Sequence, residues 1–261
     1  MSKGTQPQKQ YKVLLIGELC QDVYVFGDVS RISPEAPVPV LKKIDKSFKA
    51  GMSGNVANNL SAILPGVSLT LCQNDMSCLK KIRFIDNKSN YHLMRYDIQH
   101  PFEGLKIDNI PDDNYDLVVV SDYDKGLIDN TIIHDICERF KDIKIFVDTK
   151  KSNLSAFKNC TIKLNEKESN LSKYKNQSCD IITTLGPQGC EYKGKIYPTQ
   201  RVEVYDVCGA GDVFLATLIA RWLETKDMEA ALKAANNCAA LSVTKLGCYT
   251  LTREEYENLC I

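Results

Sequence analysis

The chain has 261 residues, 44% of them hydrophobic and 25% charged, proportions that exclude a disordered or fibrous protein and predict one large globular domain over residues 1–261. Lys plus Arg and Asp plus Glu both number 33, so no net charge draws the chain to nucleic acid or to an anionic membrane. An anionic ligand must therefore be held by local groups.

The longest apolar runs, such as residues 117–120, fall far short of the roughly 20 residues that cross a bilayer, so no membrane span is expected. The first dozen residues are polar and lack an apolar signal segment, which predicts a frayed tail and a cytoplasmic protein. Eleven cysteines are scattered from Cys20 to Cys260, without a CxxC pair and with only three histidines beside them. That odd, dispersed set fits neither a disulfide framework nor a zinc site and predicts reduced, mostly buried thiols.

In chain order, residues 11–16 open a series of short β-rich apolar runs that continues at 117–120, 144–147, 161–164 and 181–185, with room for helices between several of them. The rhythm predicts a parallel sheet with crossover helices. Polar clusters stand at the ends of the runs: Gly17 to Asp22, Ser121 to Asp124, Asp148, Asn165 to Glu168, and Thr184 with Gly186. Ligands of an open parallel sheet bind outside the carboxyl ends of its strands, so these clusters should converge.

Residues 24–49 and 81–96 have a different texture. Short segments alternate there, Pro34, Pro37 and Pro39 interrupt the first region, and residues 87–90 read as a hairpin turn between 81–86 and 91–96. They predict a small β-layer on the α/β body, or else edge strands of the main sheet, since periodicity cannot place a strand in a sheet. Later, apolar residues at helical spacing predict helices over 213–223 and 228–246, the second lined with alanines that permit close packing.

The strongest local signal is Gly209-Ala210-Gly211-Asp212, directly ahead of the first of these helices. Two glycines leave amides bare at a helix N-terminus, where unpaired donors and the positive dipole end favour an anion such as a phosphate. Asp212 would sit beside that anion and can accept a proton from an attacking hydroxyl. An acidic residue that only stabilises its own helix after a glycine-rich turn explains the four residues equally well.

Asp206 to Phe214 resembles the DTxGAGDxF signature of the ribokinase-like, phosphofructokinase-B-type sugar kinases, with Val207 in place of the threonine. Other pieces follow in that family's order: Asn165 to Glu168 matches its NxxE motif, and Thr184 to Gly189 its TxGxxG nucleotide turn. Gly17 to Asp22 and Gly51 to Asn58 resemble its two sugar-site segments. Ser30 to Val40, Ser121 to Gly126 and Lys245 to Gly247 are similar to one branch, the kinase half of the bifunctional heptose enzymes of lipopolysaccharide precursor synthesis.

The resemblance covers nearly the whole chain. It implies a ribokinase-like three-layer α/β/α sandwich with a mostly parallel sheet and a small β-lid. It also implies ATP-dependent, magnesium-assisted phosphorylation of the anomeric hydroxyl of D-glycero-D-manno-heptose 7-phosphate. The expected form is a stand-alone kinase without the nucleotidyltransferase half.

On that resemblance Asp212 is the base, and the amides of Gly209, Ala210 and Gly211 form the anion hole. Asn165 and Glu168 would hold Mg2+ and its water shell against the ATP phosphates, although Asn followed three residues later by Glu is also a capping box. Asp22, Gly51 and Asn55 would bind the sugar. Lys125 and Arg31 or Arg95 are candidates for reading its phosphate on charge grounds, and each also fits a solvated surface. Thr184, Gly186, Gly189 and Asn236 would flank the adenosine, with a surface position equally open to Asn236. The β-lid implies a homodimer, because a second copy would cover its edges and apolar face.

Two departures stand out. Met52 occupies a place where relatives carry consecutive glycines, and between residues 71 and 81 the chain omits a strand-and-helix unit usual in the family, which predicts a shortened or uncovered sheet edge. A kinase of another sugar, or a non-catalytic sugar- or nucleotide-binding relative, would share these motifs.

Overall fold

A computed structural model describes residues 10–172 and 178–260, so most of the expected N-terminal tail lies outside the described residues. The strands are β1 (Tyr11–Gly17), β2 (Leu19–Ile32), β3 (Pro39–Met52), β4 (Val67–Cys72), β5 (Leu79–Asp86) and β6 (His92–Gln99) in the first part of the chain. Then follow β7 (Leu117–Asp122), β8 (Ile145–Thr149), β9 (Thr161–Asn165), β10 (Asp180–Thr184), β11 (Cys190–Tyr192) and β12 (Lys195–Tyr197). The helices are α1 (Ser53–Ile63), α2 (Asn130–Arg139), α3 (Glu166–Leu171), α4 (Ala210–Thr225), α5 (Met228–Ser242) and α6 (Arg253–Leu259).

Eight strands form the main sheet in the order β12-β11-β10-β9-β8-β7-β1-β4, parallel except for the β10–β11–β12 turn-backs. Side chains of a strand alternate between faces, and the apolar runs supply both faces at once. Val13, Leu15, Leu117 and Val119 pack with Leu60 of α1 and Leu215 and Ile219 of α4. Leu14, Ile16, Val118 and Val120 belong to the opposite core, with Ile133 and Ile136 of α2 and Phe157. The result is a three-layer α/β/α sandwich. From β1 the chain runs to β4 on one side and to β7 on the other, and this change of direction opens the crevice at the carboxyl ends of β1 and β7.

The remaining four strands form a separate sheet, β3-β2-β5-β6, rather than edge strands of the first. The region around residues 24–49 is not a set of short segments: β2 and β3 are paired strands of 14 residues each. Pro34 and Pro37 fall in the turn between them, and Pro39 starts β3, positions where no ladder donor is lost. One face of this sheet buries Cys20, Asp22, Tyr24 and Arg83, while Phe48, Met94 and Tyr96 stand exposed on the other.

Other differences have local causes. α5 ends at Ser242 rather than residue 246, because the Val243 carbonyl accepts the amides of Tyr205 and Asp206 instead of continuing the helix. The Asp206 carboxylate then takes the Gly247 amide at 2.8 Å, and Gly247 turns with φ 70°. β11 and β12, absent from the sequence reading, are joined at Lys193-Gly194, both with positive φ as a tight hairpin requires. β4 ends the main sheet, and among the described residues no strand covers its outer side. All eleven cysteines are free thiols, seven of them buried.

Candidate active site

Gly209 caps α4 with φ 75°, a conformation that glycine adopts without strain, and the helix starts so abruptly that Asp212 falls in its first turn. Asp212 is buried. Its Oδ1 accepts the Tyr123 hydroxyl at 2.5 Å and its Oδ2 accepts the Asn55 amide at 3.1 Å. Each of these partners is held in turn. Asn59 donates to the Asn55 side-chain oxygen at 3.2 Å, and buried Glu18 accepts the backbone amides of Tyr123, Lys125 and Leu127 at 2.7, 3.1 and 3.3 Å.

Burial pushes the Asp212 carboxyl up to about 6; the hydrogen bonds from Tyr123 and Asn55 and the charge of Lys163 pull against it, while Asp148 adds to the rise. A carboxylate with that value is ionised at neutral pH yet basic enough to take a hydroxyl proton in a transition state.

Lys163, in the middle of β9, is buried and pairs with Asp148 at 2.8 Å. Its ammonium lies 2.9 Å from where a Cβ on Gly211 would stand, so the glycine makes room for a fixed positive charge beside the α4 N-terminus. The anion hole proposed from Gly209, Ala210 and Gly211 thus has a cation at its wall. Lys150 extends this row: it contacts Glu168 at 2.5 Å and lies 3.8 Å from the Asp148 Oδ1, a buried oxygen that accepts no hydrogen bond.

Asn165 and Glu168 form a full capping box at the start of α3. The Asn165 side chain accepts the Glu168 amide at 2.9 Å, and Glu168 Oε2 accepts the Asn165 amide at 2.8 Å. Both Glu168 oxygens are therefore engaged, and among the described residues no group of three acidic, histidine or cysteine side chains could ligate a metal directly. Magnesium keeps several of its waters, and the remaining lone pairs of Glu168 with the Asp148 Oδ1, which accepts no hydrogen bond, fit an outer shell of metal-bound water.

Among the residues expected to bind the sugar, β2 and β3 place Asp22 against Gly51, where the carboxylate fills the space a Cβ would need. Asp22 is buried in an ion pair with Arg83 of β5. Beside Asn55 opens a cavity of about 430 Å3, lined also by Lys49, Met76, Cys248 and Thr250. Met52, flagged in the sequence, takes φ 57° and packs on Cys20 and Leu79. A non-glycine residue there carries a strain of order 1–3 kcal/mol, which this burial offsets.

At the segment expected to flank the adenosine, Gly186 and Gly189 frame a short 3₁₀ turn after β10, with φ 57° and 95°. The Thr184 hydroxyl donates to the Leu164 carbonyl at 3.3 Å. Asn236 is buried rather than at the surface; its amide donates to the Tyr197 carbonyl at 2.7 Å and holds the end of β12 against α5.

The phosphate candidates do not converge. Arg31 is exposed, nine positions beyond Asp22 on β2, about 30 Å away at ~3.3 Å per residue. Arg95 is exposed on β6 and pairs with Asp97 at 2.9 Å. Lys125 is half-buried, its amide fixed by Glu18. The cations at the crevice are instead Arg83, Lys49, Lys81 and Lys150, with Lys81 and Lys150 5.5 and 5.3 Å from the Tyr123 ring centre.

Residues 123–255, just over half of the chain and including the whole of α4, match the model of the pfkB family carbohydrate kinases. The chain belongs to the pfkB family of carbohydrate kinases. It is 30% identical to a protein of Campylobacter curvus named bifunctional protein HldE, over 96% of this chain and 65% of that relative. A Helicobacter pylori protein of the same name is 32% identical over 94% of this chain and 65% of its own length. The chain thus spans just under two thirds of these relatives. Among solved structures, it is similar to Thermotoga maritima ribokinase (TM-score 0.67, 18% identity, covering 95% of this chain and 99% of that one). It is also similar to Escherichia coli phosphofructokinase-2 (TM-score 0.70, 14% identity, covering 96% and 98%). The fold of this pfkB family member is accordingly ribokinase-like, and its activity is that of an ATP-dependent sugar kinase. No helix among the described residues is long and apolar enough to cross a membrane.

Proposed function

We propose that this kinase transfers the terminal phosphoryl group of ATP to the anomeric hydroxyl of D-glycero-D-manno-heptose 7-phosphate. The observation that carries the chemistry is Asp212, buried at the N-terminus of α4 and clamped by Tyr123 and Asn55. A sugar hydroxyl seated between Asp22 and Asp212 gives its proton to the Asp212 carboxylate as its oxygen attacks the terminal phosphorus, and the bond to the leaving ADP oxygen breaks. The N-terminus of α4 around Gly209 and Gly211, with the ammonium of Lys163, faces the charge that spreads over the transferred oxygens, whereas the Ala210 amide donates to the Val207 carbonyl at 3.3 Å. Bound magnesium supplies charge neutralisation of the ATP phosphates, with Glu168 and Asn165 holding its water shell. In this reading the adenosine rests against Thr184, Gly186 and Gly189.

The choice of heptose rests on the segments from Ser30 to Val40 and Ser121 to Gly126, and the row of lysines suits a substrate that already carries a phosphate. ADP release measured on a panel of sugars and sugar phosphates tests it. Heptose 7-phosphate should be turned over far better than any unphosphorylated sugar. Equal efficiency on neutral sugars would overturn the heptose assignment, and binding without turnover would overturn the kinase reading itself. Of the crevice cations, Lys81→Ala should raise the Michaelis constant for heptose 7-phosphate by about one to two orders of magnitude, the worth of one charge-assisted contact, and leave that for ATP nearly unchanged.

The magnesium reading has its own check. Glu168→Gln should raise the magnesium concentration needed for half-maximal rate, and an unchanged titration with folded protein leaves Glu168 only its capping role.

A homodimer through the small sheet completes the reading. Register places Phe48, Val23, Ile82 and Tyr96 in one row across all four strands, with Val25, Phe84 and Met94 beside it on the same face. A second copy covers that face by an isologous contact. Sedimentation should show a concentration-dependent dimer; a monomer mass at every concentration counts against it.

A further inference from the structure

Two loops meet at Gly209, one leading into α4 and one following α5. Asp206 ties them together by accepting the amides of Cys208 at 2.9 Å and Gly247 at 2.8 Å. Across that tie the sulfurs of Cys208 and Cys248 face each other at 3.8 Å. The thiol of Cys248 is also 3.4 Å from the Asp22 carboxylate, and the Cys208 sulfur accepts the Arg83 guanidinium at 3.0 Å. Cys208 is partly exposed and Cys248 lines the cavity beside Asn55, so a small oxidant can reach the pair.

From this geometry we infer that Cys208 and Cys248 are an oxidation site at which a peroxide closes a reversible disulfide that stops turnover.

The sulfurs need to approach by about 2 Å to reach bonding distance. The hydrogen bond from Cys248 and the Arg83 guanidinium draw the Cys208 thiol below its ordinary range against the effect of burial, which favours the nucleophilic thiolate. The Cys208 thiolate attacks one peroxide oxygen, the O–O bond breaks, hydroxide leaves, and a sulfenic acid remains on Cys208. The Cys248 sulfur then attacks the Cys208 sulfur. The S–S bond forms, the S–O bond breaks, and the Cys248 proton leaves with the departing hydroxide as water. One peroxide is reduced to two waters as the two thiols are oxidised.

The bond acts on the site in two ways. It removes the sulfur that accepts Arg83 and the thiol facing Asp22, and it pulls on Cys248, whose sulfur lies 3.3 Å from where a Cβ on Gly209 would stand. Gly209 is the cap that aims the α4 N-terminus, so its displacement misaligns the anion hole. Cys160 and Cys179 are also close, with sulfurs 3.4 Å apart, but they join the starts of β9 and β10, at the strand ends opposite this crevice.

The effect on turnover rests on the kinase reading; formation of the bond does not. The full chain, reduced and then treated with stoichiometric hydrogen peroxide, is followed by non-reducing peptide mapping and by ADP release with heptose 7-phosphate. A peptide cross-linked between Cys208 and Cys248 should appear as nearly all turnover is lost, and dithiothreitol should reverse both. Cys208→Ser and Cys248→Ser should each lack the cross-link and keep their own untreated rate, whereas Cys160→Ser should behave as the parent. No cross-link between Cys208 and Cys248, a cross-link between Cys160 and Cys179 alone, or equal inactivation of both serine variants overturns the proposal. If the untreated protein shows no turnover, the kinase reading fails, and the peptide map alone still decides this one.

Discussion

Replacing Asp212 with asparagine is expected to lower turnover by about two to four orders of magnitude, the usual worth of a general base, while ATP binding persists. The same substitution should make the protein more stable, not less. The carboxyl is moved from 3.8 to about 6 chiefly by burial, which corresponds to about 3 kcal/mol of penalty on the ionised form at neutral pH. A group raised in the folded state favours folding when protonated, so its contribution is complete below pH 3.8 and is lost as pH rises through about 6. Asparagine escapes that loss: its oxygen can accept from Asn55 and its amide can donate to Tyr123, whose hydroxyl is free to rotate. Denaturation at pH 8 should therefore show the variant ahead by up to about 3 kcal/mol, with the gap closing near pH 4. In the parent, kcat/KM should rise with pH through about 6 as the base ionises. Near-parent turnover in the variant, or an acid limb that survives in its residual activity, would remove Asp212 from the role of base.

Replacing Arg83 with methionine is expected to destabilise the fold by about 3–5 kcal/mol, because it strands the Asp22 carboxylate in the interior. Its remaining neighbours are the thiols of Cys248 at 3.4 Å and Cys20 at 3.9 Å, weak donors that cannot replace a guanidinium. Adding Asp22→Asn to Arg83→Met removes the stranded charge and should recover much of the loss, so a double-mutant cycle by urea denaturation reads the coupling directly. Costs that simply add would show that the pair is not coupled and that Arg83 matters through packing alone.

The legible parts of the molecule are those whose cause is local. Asp212 and α4 could be read because two glycines, an acidic residue and a helical apolar period lie within a dozen positions. The central strands could be read because β7 and β8 are buried at every position, which leaves continuous apolar runs. Glu18 could not be: its work is to hold three amides more than a hundred residues away, and nothing beside it in the sequence records that. Lys163 and Arg83 look like ordinary strand cations until β8 brings Asp148 to the first and β2 brings Asp22 to the second. Arg31 shows the converse, a motif match that identified the segment but not its distance from the crevice. Asp206, which ends α5 early, acts from more than thirty positions upstream through the Gly247 amide.

The bare outer side of β4 bears on how the protein behaves as a colloid. Among the described residues no strand pairs with that side, and Leu71 is 47% exposed on it. Such an edge offers backbone donors and acceptors to any second chain that approaches, and here the 33 basic and 33 acidic residues cancel, so no long-range repulsion holds two copies apart at neutral pH. Solubility should pass through a minimum near neutrality, and chains caught half-folded at high concentration should associate edge to edge before β4 has settled beside β1.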